Sequence, residues 1–541
     1  MRLLLTLLVA GALLPAQDFD LLLTGGRVVD GSGNPWYRAD IGIRNGRIAE
    51  IGRLTGRKAK RTIAADGHVI APGFVDMMGA TSLPLLLEPS SAESKLRQGI
   101  TTILSGEGGS LAPQTEKTFP AEARKKGYFW RTYGEYFALL EKHGIAVNTV
   151  HNIGAAQVRQ VVIGDVDREP TPAELDQMRK HVDQAMRDGA VGLSTALIYP
   201  PGTYAKTAEL VAMAKVVGQY GGAYMSHMRN ESQALLDAIR ETMEIGRQAG
   251  IPVHIFHLKA AGEENWPRIH DAIKVIQSAR DAGQDVTADI YPYIRNGLGI
   301  RSFVHPKYFA NGPGPFVQSL KDPAARARLK KEVESTNDWE NWYRHVGKNW
   351  DNVLVVSVPE SLDRAYEGKS VAQIAALRKQ DPWETAFDLM AAGNPSVNPK
   401  SMNEEQKHAA LRQEWVSICT DAGPVLMSEA RFSHPRAFGS FPRILAKYVR
   451  EEKVISLEGA IRRMSALPAN FFRLYDRGRI APGLAADLVV FNPDTVRDTA
   501  TFEKPLAYPE GMPYVVVNGQ VAVDQGKLVN TKAGAVLRLK P

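Results

Sequence analysis

The segment from residue 223 to residue 257 reads AYMSHMRNESQALLDAIRETMEIGRQAGIPVHIFH. Its hydrophobic pattern predicts a buried strand at Ala223–His227, a helix at Glu231–Gln248 and a second strand at Ile251–His257. A strand, a helical crossover and a second strand form the repeating unit of a parallel sheet. Because a histidine ends each of the two strands, the segment also points to chemistry at one edge of that sheet.

The same unit recurs on both sides of this segment. Strands alternate with further helical stretches at Pro172–Asp188, Thr207–Tyr220 and Trp266–Ala282, which predicts an α/β fold with a (β/α)8 TIM-type barrel. The eight strands are predicted at Val69–Asp76, Gly99–Ser105, Ala146–Asn152, Ala190–Thr195, Ala223–His227, Ile251–His257, Asp285–Tyr291 and Val416–Asp421. An open doubly wound sheet is the alternative, but it would want a glycine-rich phosphate turn after the first strand, and the sequence has none there.

Short β segments with Gly and Asn turns occupy both ends of the chain. We predict that residues 17–67 and 476–541 pair into one small β-sandwich, and that residues 68–475 form the barrel. Residues from about 296 to 413 break the rhythm of strands and helices, so they are predicted to be an insertion between the seventh and eighth strands. Loops at that end of a barrel lie at the catalytic mouth.

Charge, cysteine count and the N-terminus limit the function classes. A net charge of +7 over 541 residues, without a basic run interleaved with aromatics, argues against a nucleic-acid partner. One positive charge, a short apolar run and a small residue make residues 1–16 resemble an export signal, with a buried N-terminal strand or helix as the alternative. We therefore expect an exported, periplasmic or secreted protein without stable membrane insertion after cleavage. The single cysteine, Cys419, excludes an internal disulfide.

Three polar residues close three different predicted strands, namely His227, His257 and Asp421. The C-terminal ends of barrel strands face one mouth, so these side chains should project over a common site. Two histidines and a carboxylate suit Zn²⁺, which would activate a water molecule. Asp421 would take the proton of that water and deliver it to a leaving amine. The alternative is that each of the three is a buried structural residue.

A series of motifs runs through nearly the whole chain after residue 16. They read GGRVVDG (25–31), APGFVD (71–76), GITT (99–102), GLST (192–195), YPPG (199–202), SHMR (226–229), HLKAAG (257–262), DVTAD (285–289), YPY (291–293), HPR (434–436) and GLAADLVVF (483–491). Jointly they resemble the amidohydrolase superfamily, specifically the N-acyl-D-amino-acid deacylases, or D-aminoacylases.

The resemblance implies a (β/α)8 barrel with a β-sandwich made from both chain ends, zinc, and hydrolysis of the amide of an N-acylated D-amino acid. It implies that His227 and His257 are metal ligands and that Asp421 is the essential aspartate. A buried substrate carboxylate needs fixed cations or several donors. The residues in motifs suited to holding it are Tyr199, Lys259, Tyr291 and Arg436.

The sequence departs from the family pattern at the usual metal ligands. The superfamily has His-x-His at the end of the first strand, where this chain has Met78 and Ala80. The position of the family's cysteine ligand is Gly108, and the family's histidine after the third strand maps to Ala155. Glu107 precedes Gly108 and would complete a Glu/His/His zinc shell, with a surface turn residue as the alternative interpretation.

We therefore expect a mononuclear zinc amidohydrolase that acts on small N-acyl amino acid substrates. A second hypothesis is a non-catalytic relative that binds acylated amino acids or peptides without cleaving them, since the His-x-His motif and the cysteine are lost. A third keeps the hydrolase but makes it an exported peptidase or cyclic amidase. For such a hydrolase, the insertion at about 296–413 is expected to set the preference for the acyl group.

Overall fold

A computed structural model describes residues 18–430 and 432–539, so the predicted export signal lies outside the described residues. The strands are β1 Phe19–Val28, β2 Tyr37–Arg44, β3 Arg47–Gly52, β4 Ala59–Ala64, β5 Val69–Pro72, β6 Phe74–Asp76, β7 Ile100–Ser105, β8 Asn148–Gly154, β9 Gly192–Ala196, β10 Ala223–His227, β11 Val253–Ile255, β12 Val286–Ile290, β13 Leu298–Gly299, β14 Val353–Ser357, β15 Ser396–Pro399, β16 Val416–Ile418, β17 Leu488–Phe491, β18 Tyr514–Val517, β19 Gln520–Asp524 and β20 Lys527–Leu528.

The helices are α1 Leu83–Leu87, α2 Glu93–Leu96, α3 Ala121–Lys125, α4 Tyr133–His143, α5 Ala155–Ile163, α6 Pro172–Asp188, α7 Thr207–Gly218, α8 Leu235–Ala249, α9 Arg268–Asp281, α10 Pro313–Ser319, α11 Pro323–Ser335, α12 Trp342–His345, α13 Val371–Arg378, α14 Pro382–Ala392, α15 Glu404–Leu411, α16 Arg436–Arg443, α17 Leu457–Met464 and α18 Ala466–Phe471. A π-helical segment, Ile444–Glu451, continues α16. Among the helices of the described ranges, none is long and apolar enough to cross a membrane.

Eight parallel strands form the barrel in the order β6, β7, β8, β9, β10, β11, β12 and β16. Helices follow most of the strands and pack on the outside, as in the contacts of α7 with α8 and of α8 with α9. Every residue of these eight strands is buried, which explains their nearly continuous apolar runs in the sequence. The predicted (β/α)8 fold class is confirmed.

Side chains help to join the first and last barrel strands. The carboxylate of Asp76, at the end of β6, accepts hydrogen bonds from the backbone N–H and the hydroxyl of Thr420, at 2.8 and 2.6 Å. Lys95 Nζ lies 3.0 Å from the same carboxylate and 2.6 Å from Thr420 Oγ1, and all three side chains are buried. This cluster holds Thr420, which lies two residues after the end of β16 and one residue before Asp421.

Strands from both chain ends form a single nine-stranded mixed sheet. Its order is β20, β19, β18, β17, β5, β1, β2 and β3, with β4 also paired to β1. The antiparallel pair of β17 with β5 joins the two chain ends. The sequence predicted one strand over Val69–Asp76, but the structure divides it at Gly73, where the backbone N–H donates to Asp487 O. Its first half belongs to this sheet and its second half to the barrel.

The chain between β12 and β16 carries a separate substructure. It contains a three-stranded antiparallel sheet, in the order β13, β15 and β14, together with the helices α10 to α14. Its hydrophobic core is distinct from that of the barrel and is rich in tryptophan. The barrel side of this core includes Ile198, with Tyr199 packed against it. The substructure is therefore anchored on the loop after β9, at the rim of the barrel mouth.

Candidate active site

Glu107, His227 and His257 meet at the C-terminal mouth of the barrel. His227 ends β10, His257 follows β11, and Glu107 lies in the turn after β7. One oxygen of Glu107, Oε1, lies 2.7 Å from His227 Nδ1 and 3.3 Å from His257 Nε2. One ligand atom from each of the three lies within 4.8 Å of the others. The structure thus brings together the three residues that the sequence predicted as metal ligands.

The turn that carries Glu107 has no room for a side chain at the next position. Gly108 has a φ of +70°, and a β-carbon placed on it would lie 2.5 Å from Ala196 N. Its backbone N–H donates to Ser194 Oγ at 3.2 Å. L-residues with a side chain rarely adopt such a φ. The turn therefore directs Glu107 into the barrel mouth and leaves position 108 without a ligand.

The electrostatics of the three residues favour positive charge between them. Burial opposes ionisation of Glu107, but both histidines outweigh it and hold the pKa of this carboxyl at about 2. Burial and Lys259 oppose protonation of His257, but Glu231 and Glu107 outweigh them and raise its pKa to about 9. His227 Nε2 is buried and has no hydrogen-bond partner within the described ranges. The ring nitrogens that face Glu107, His227 Nδ1 and His257 Nε2, form with its carboxylate a set of donors that matches those that hold Zn²⁺.

Glu231 also lies in this pocket, and the sequence did not predict it. Its Oε1 accepts a hydrogen bond from Lys259 Nζ at 2.5 Å and lies 3.1 Å from His257 Nδ1. Its Oε2 lies 3.7 Å from His227 Nε2, and the side chain is only 1% exposed. Burial raises the pKa of this carboxyl, but Lys259 and both histidines outweigh it and hold the pKa well below its usual range. Glu231 therefore lies near the ring nitrogens of both predicted ligand histidines that do not contact Glu107.

The local backbone explains why Glu231 escaped notice. The pattern predicted a helix over Glu231–Gln248, which would place residue 231 in the first turn of a surface helix. Instead the helix begins at Leu235, because Asn230 Oδ1 accepts from the backbone N–H groups of Ser232 and Ala234 and holds a turn before it. The only available signal was a carboxylate four residues after a histidine at a strand end.

Asp421 lines the same pocket, three residues after β16 ends, with a φ of +49°. Its carboxylate forms an ion pair with the guanidinium of Arg436. Burial raises the pKa of Asp421 above its usual range, against the opposing charges of Arg436 and His257. The predicted acid–base residue therefore lies in the same site as the predicted ligands, in surroundings that suit proton exchange.

The four residues predicted to hold the substrate also lie at this site. The ring centre of Tyr199 is 5.4 Å from that of His227, and the ring centre of Tyr291 is 6.3 Å from that of His257. The guanidinium of Arg436 stacks 4.7 Å above the ring of Tyr291. Tyr199, Lys259 and Tyr291 line the pocket, whose volume is about 30 Å³, together with the three predicted ligands and Asp421.

Known proteins resemble this chain over nearly its whole length. The model of an amidohydrolase family, Amidohydro_3, matches residues 321–523. D-aminoacylase of Alcaligenes xylosoxydans xylosoxydans is 32% identical over 96% of this chain and 98% of its own length. N-acyl-D-glutamate deacylase of the same organism is 34% identical over 96% of this chain and 97% of its own length.

Solved structures show the same similarity. N-acyl-D-glutamate deacylase from Bordetella bronchiseptica, complexed with zinc and a phosphonate inhibitor, superposes with a TM-score of 0.81 at 31% identity, covering 96% of this chain and 99% of that chain. A D-aminoacylase structure gives a TM-score of 0.81 at 30% identity, covering 96% of this chain and 100% of that chain.

Proposed function

Because this chain belongs to the amidohydrolases, in the family of the D-aminoacylases and N-acyl-D-amino-acid deacylases, we propose that it hydrolyses the amide bond of N-acyl-D-amino acids with a single metal ion. The membership makes the chain a hydrolase of carbon–nitrogen bonds. The observation that carries the proposal is the convergence of Glu107, both histidines and Asp421 in one buried pocket.

Glu107, His227 and His257 would hold the ion. Two imidazoles and one carboxylate are a known catalytic zinc shell, and Nδ1 of His227 and Nε2 of His257 both face Glu107 Oε1, so this donor set fits a bound cation. Zinc at this place would polarise the amide carbonyl and lower the pKa of a water molecule. Met78 and Ala80 offer no imidazole at the end of β6, which supports one ion rather than two.

Asp421 is proposed as the general base and then the general acid. As a carboxylate it removes the proton from the attacking water, and as a carboxylic acid it protonates the nitrogen of the leaving amino acid. Arg436 keeps the carboxylate oriented through their ion pair. The ring of Tyr291, under the guanidinium, keeps Arg436 itself in position.

The carboxylate of the substrate would bind to the fixed cations of the pocket. Arg436 presents a planar guanidinium that suits a carboxylate, and Lys259 is a buried ammonium on the other side of His257. Tyr199 and Tyr291 provide the aromatic walls between these groups. All four predicted substrate residues would therefore contact the bound substrate.

A panel of N-acetyl-D- and N-acetyl-L-amino acids, assayed with the purified protein, tests the proposed function. We expect hydrolysis of the D series alone, about one zinc ion per chain by mass spectrometry, loss of activity after chelation and recovery with one equivalent of zinc. Freshly purified protein that contains no metal and hydrolyses no member of the panel would instead favour a non-catalytic binding protein.

We also propose that residues 1–16 direct export and are removed. The support is the short apolar run after a single positive charge. Cell fractionation followed by N-terminal sequencing should find the protein outside the cytoplasm with a new N-terminus near residue 17. A protein that stays in the cytoplasm with Met1 intact would overturn this proposal.

Glu231→Gln is expected to weaken zinc binding by about 10–100-fold. The carboxylate lies 3.1 Å from His257 Nδ1 and accepts from Lys259 Nζ, which itself lies 2.7 Å from His257 Nδ1, so it helps to hold the imidazole with Nε2 towards Glu107. A glutamine keeps the shape but offers a neutral amide in its place. Competition with a chromophoric chelator measures the affinity, and Glu263→Gln, an exposed glutamate in the loop before α9, is the control. Zinc affinities within twofold of each other would contradict the positioning role.

A further inference from the structure

A second pocket, of about 510 Å³, is formed by the turn between β1 and β2, the loop that leads into β16, and α17 with the residues before it. Glu414, which lines this pocket, lies two residues before β16 begins, whereas Asp421 follows the other end of that strand. Parallel barrel strands begin at the face opposite the catalytic mouth. The pocket therefore lies away from the catalytic site, and nothing in the proposed mechanism uses it.

Three guanidinium groups line this pocket, and none of them forms an ion pair with a carboxylate of the described residues. Arg412 is exposed and has no side-chain hydrogen bond to any residue that the structure describes. Arg462 is half-buried, and its Nη1 donates to a backbone oxygen, Glu414 O, at 3.1 Å. Arg463 also donates only to backbone oxygens. Three positive charges thus share the lining with one carboxylate, that of Glu414.

Arg463 is the buried member of the three, with 6% of its surface exposed. Its Nε donates to Gln413 O at 3.3 Å and its Nη1 to Gly459 O at 3.0 Å, but its Nη2 has no hydrogen-bond partner among the described residues. Nη2 does not belong to the unpartnered polar atoms that are fully buried, so it retains accessible surface. Burial and the charge of Arg462 both lower the pKa of Arg463. An anion in the pocket would offset both effects and bind the open edge of this guanidinium.

The start of α17 completes the lining. Ser456 caps this eight-residue helix, and its hydroxyl accepts from the backbone N–H of Gly459. Gly459 leaves space for the guanidinium of Arg463, because a β-carbon there would lie 2.9 Å from Nη1. The positive end of the helix dipole therefore adjoins the three guanidiniums. None of the described residues that line the pocket is aromatic, and only Val454 and Ile455 are large and apolar. The lining thus suits a compact oxyanion better than a nucleobase or an alkyl chain.

We propose that this pocket binds a compact anion with two linked phosphate groups, at a site that takes no part in hydrolysis. Guanidiniums match phosphate oxygens in geometry as well as in charge. Three guanidiniums and a helix N-terminus against one carboxylate favour a ligand with at least two negative charges. Its oxygens accept from Arg463 Nη2 and from the guanidinium of Arg412. The bound anion joins α17 to the loop before β16 and stabilises the start of that strand.

Isothermal titration calorimetry with inorganic pyrophosphate, at constant ionic strength, tests the inference. We expect one ion to bind per chain, at least about tenfold more tightly than citrate of the same charge, because guanidiniums pair with the oxygens of both phosphate groups. Citrate binding as tight as that of pyrophosphate would mean that the pocket responds to charge alone and would overturn the assignment to phosphate. No binding of pyrophosphate would overturn it as well.

Arg412→Gln is expected to weaken pyrophosphate binding by about tenfold or more, because it removes a charged donor. The variant should fold normally, as judged by circular dichroism, since Arg412 has no side-chain hydrogen bond to the described residues. Arg364→Gln is the matched control, because Arg364 is an exposed arginine of the inserted substructure that also has no side-chain hydrogen bond within the described ranges. An unchanged affinity in Arg412→Gln would contradict the assignment.

Pyrophosphate also binds zinc, so Glu107→Ala separates this pocket from the metal centre. None of the three proposed zinc ligands lines the pocket at α17, and pyrophosphate should therefore bind this variant as tightly as the wild type. Binding that is lost in Glu107→Ala but kept in Arg412→Gln would place the anion at the metal and overturn the inference. Because the readout is binding, its outcome is independent of whether the protein hydrolyses N-acyl-D-amino acids.

Discussion

Asp421→Asn is expected to lower kcat by about 10²–10⁴-fold, the usual contribution of general acid–base catalysis. Asparagine has nearly the same shape, but it neither takes the proton from water nor returns one to the leaving amine. Steady-state assays with N-acetyl-D-amino acids measure the effect, and mass spectrometry should find the zinc content unchanged, because Asp421 is not one of the three proposed ligands.

Asp494→Asn serves as the control for this substitution, since Asp494 is exposed and lies after β17, outside the barrel. It should retain full activity. If Asp421→Asn kept more than a tenth of the wild-type kcat, Asp421 would have to be an orienting partner of Arg436 rather than the proton carrier. A loss of zinc in Asp421→Asn would instead make it a fourth ligand.

The strand ends were predictable because barrel geometry constrains them. Buried parallel strands give continuous apolar runs, and a polar residue that ends such a run must lie at the mouth. This reasoning predicted His227, His257 and Asp421 as members of one site, and the structure places them there. The division of Val69–Asp76 at Gly73 was not predictable, because it depends on β17, a strand more than 400 residues away in the chain.

The parts of the site that the sequence did not predict depend on local side-chain hydrogen bonds and on packing between distant segments. Glu231 lies in a turn held by the side chain of Asn230, and hydrophobic periodicity carries no information about such local hydrogen bonds. Trp342 lines the pocket because the inserted substructure packs on the loop after β9. Packing between segments that are distant in the chain leaves no recognisable sequence pattern in either segment.

The end of β6 lacks the usual histidines, but its hydrogen bonds hold the loop that carries Asp421. Asp76 binds Thr420 and Lys95, and Lys95 Nζ also donates to Ala422 O at 2.5 Å. These bonds hold the residues on both sides of Asp421. A buried ammonium with three oxygen partners, supplied by the chain itself, therefore fixes the loop that carries the proposed base.

Glu107→Ala is expected to reduce zinc affinity by more than about 100-fold, beyond the effect of losing a residue that only supports a ligand. Hydrolysis should fall to the background rate, because two histidines alone leave the ion without its third protein ligand. Chelator competition measures the affinity, and Glu116→Ala, an exposed glutamate in the same loop, should leave it unchanged. Full zinc occupancy in Glu107→Ala would show that Glu107 is not a ligand.

The double variant Glu107→Ala/Gly108→Cys tests whether the cysteine of the family pattern can replace the glutamate. We expect no recovery of zinc or activity, because a β-carbon at position 108 would lie 2.5 Å from Ala196 N and 2.7 Å from its Cβ. The φ of +70° at this position adds about 1–2 kcal/mol of strain for any residue with a side chain. Recovery of tight zinc binding would mean that the turn rearranges easily between the two ligand sets. Failure, with the protein still folded by circular dichroism, would mean that the backbone of this turn commits the site to a carboxylate ligand.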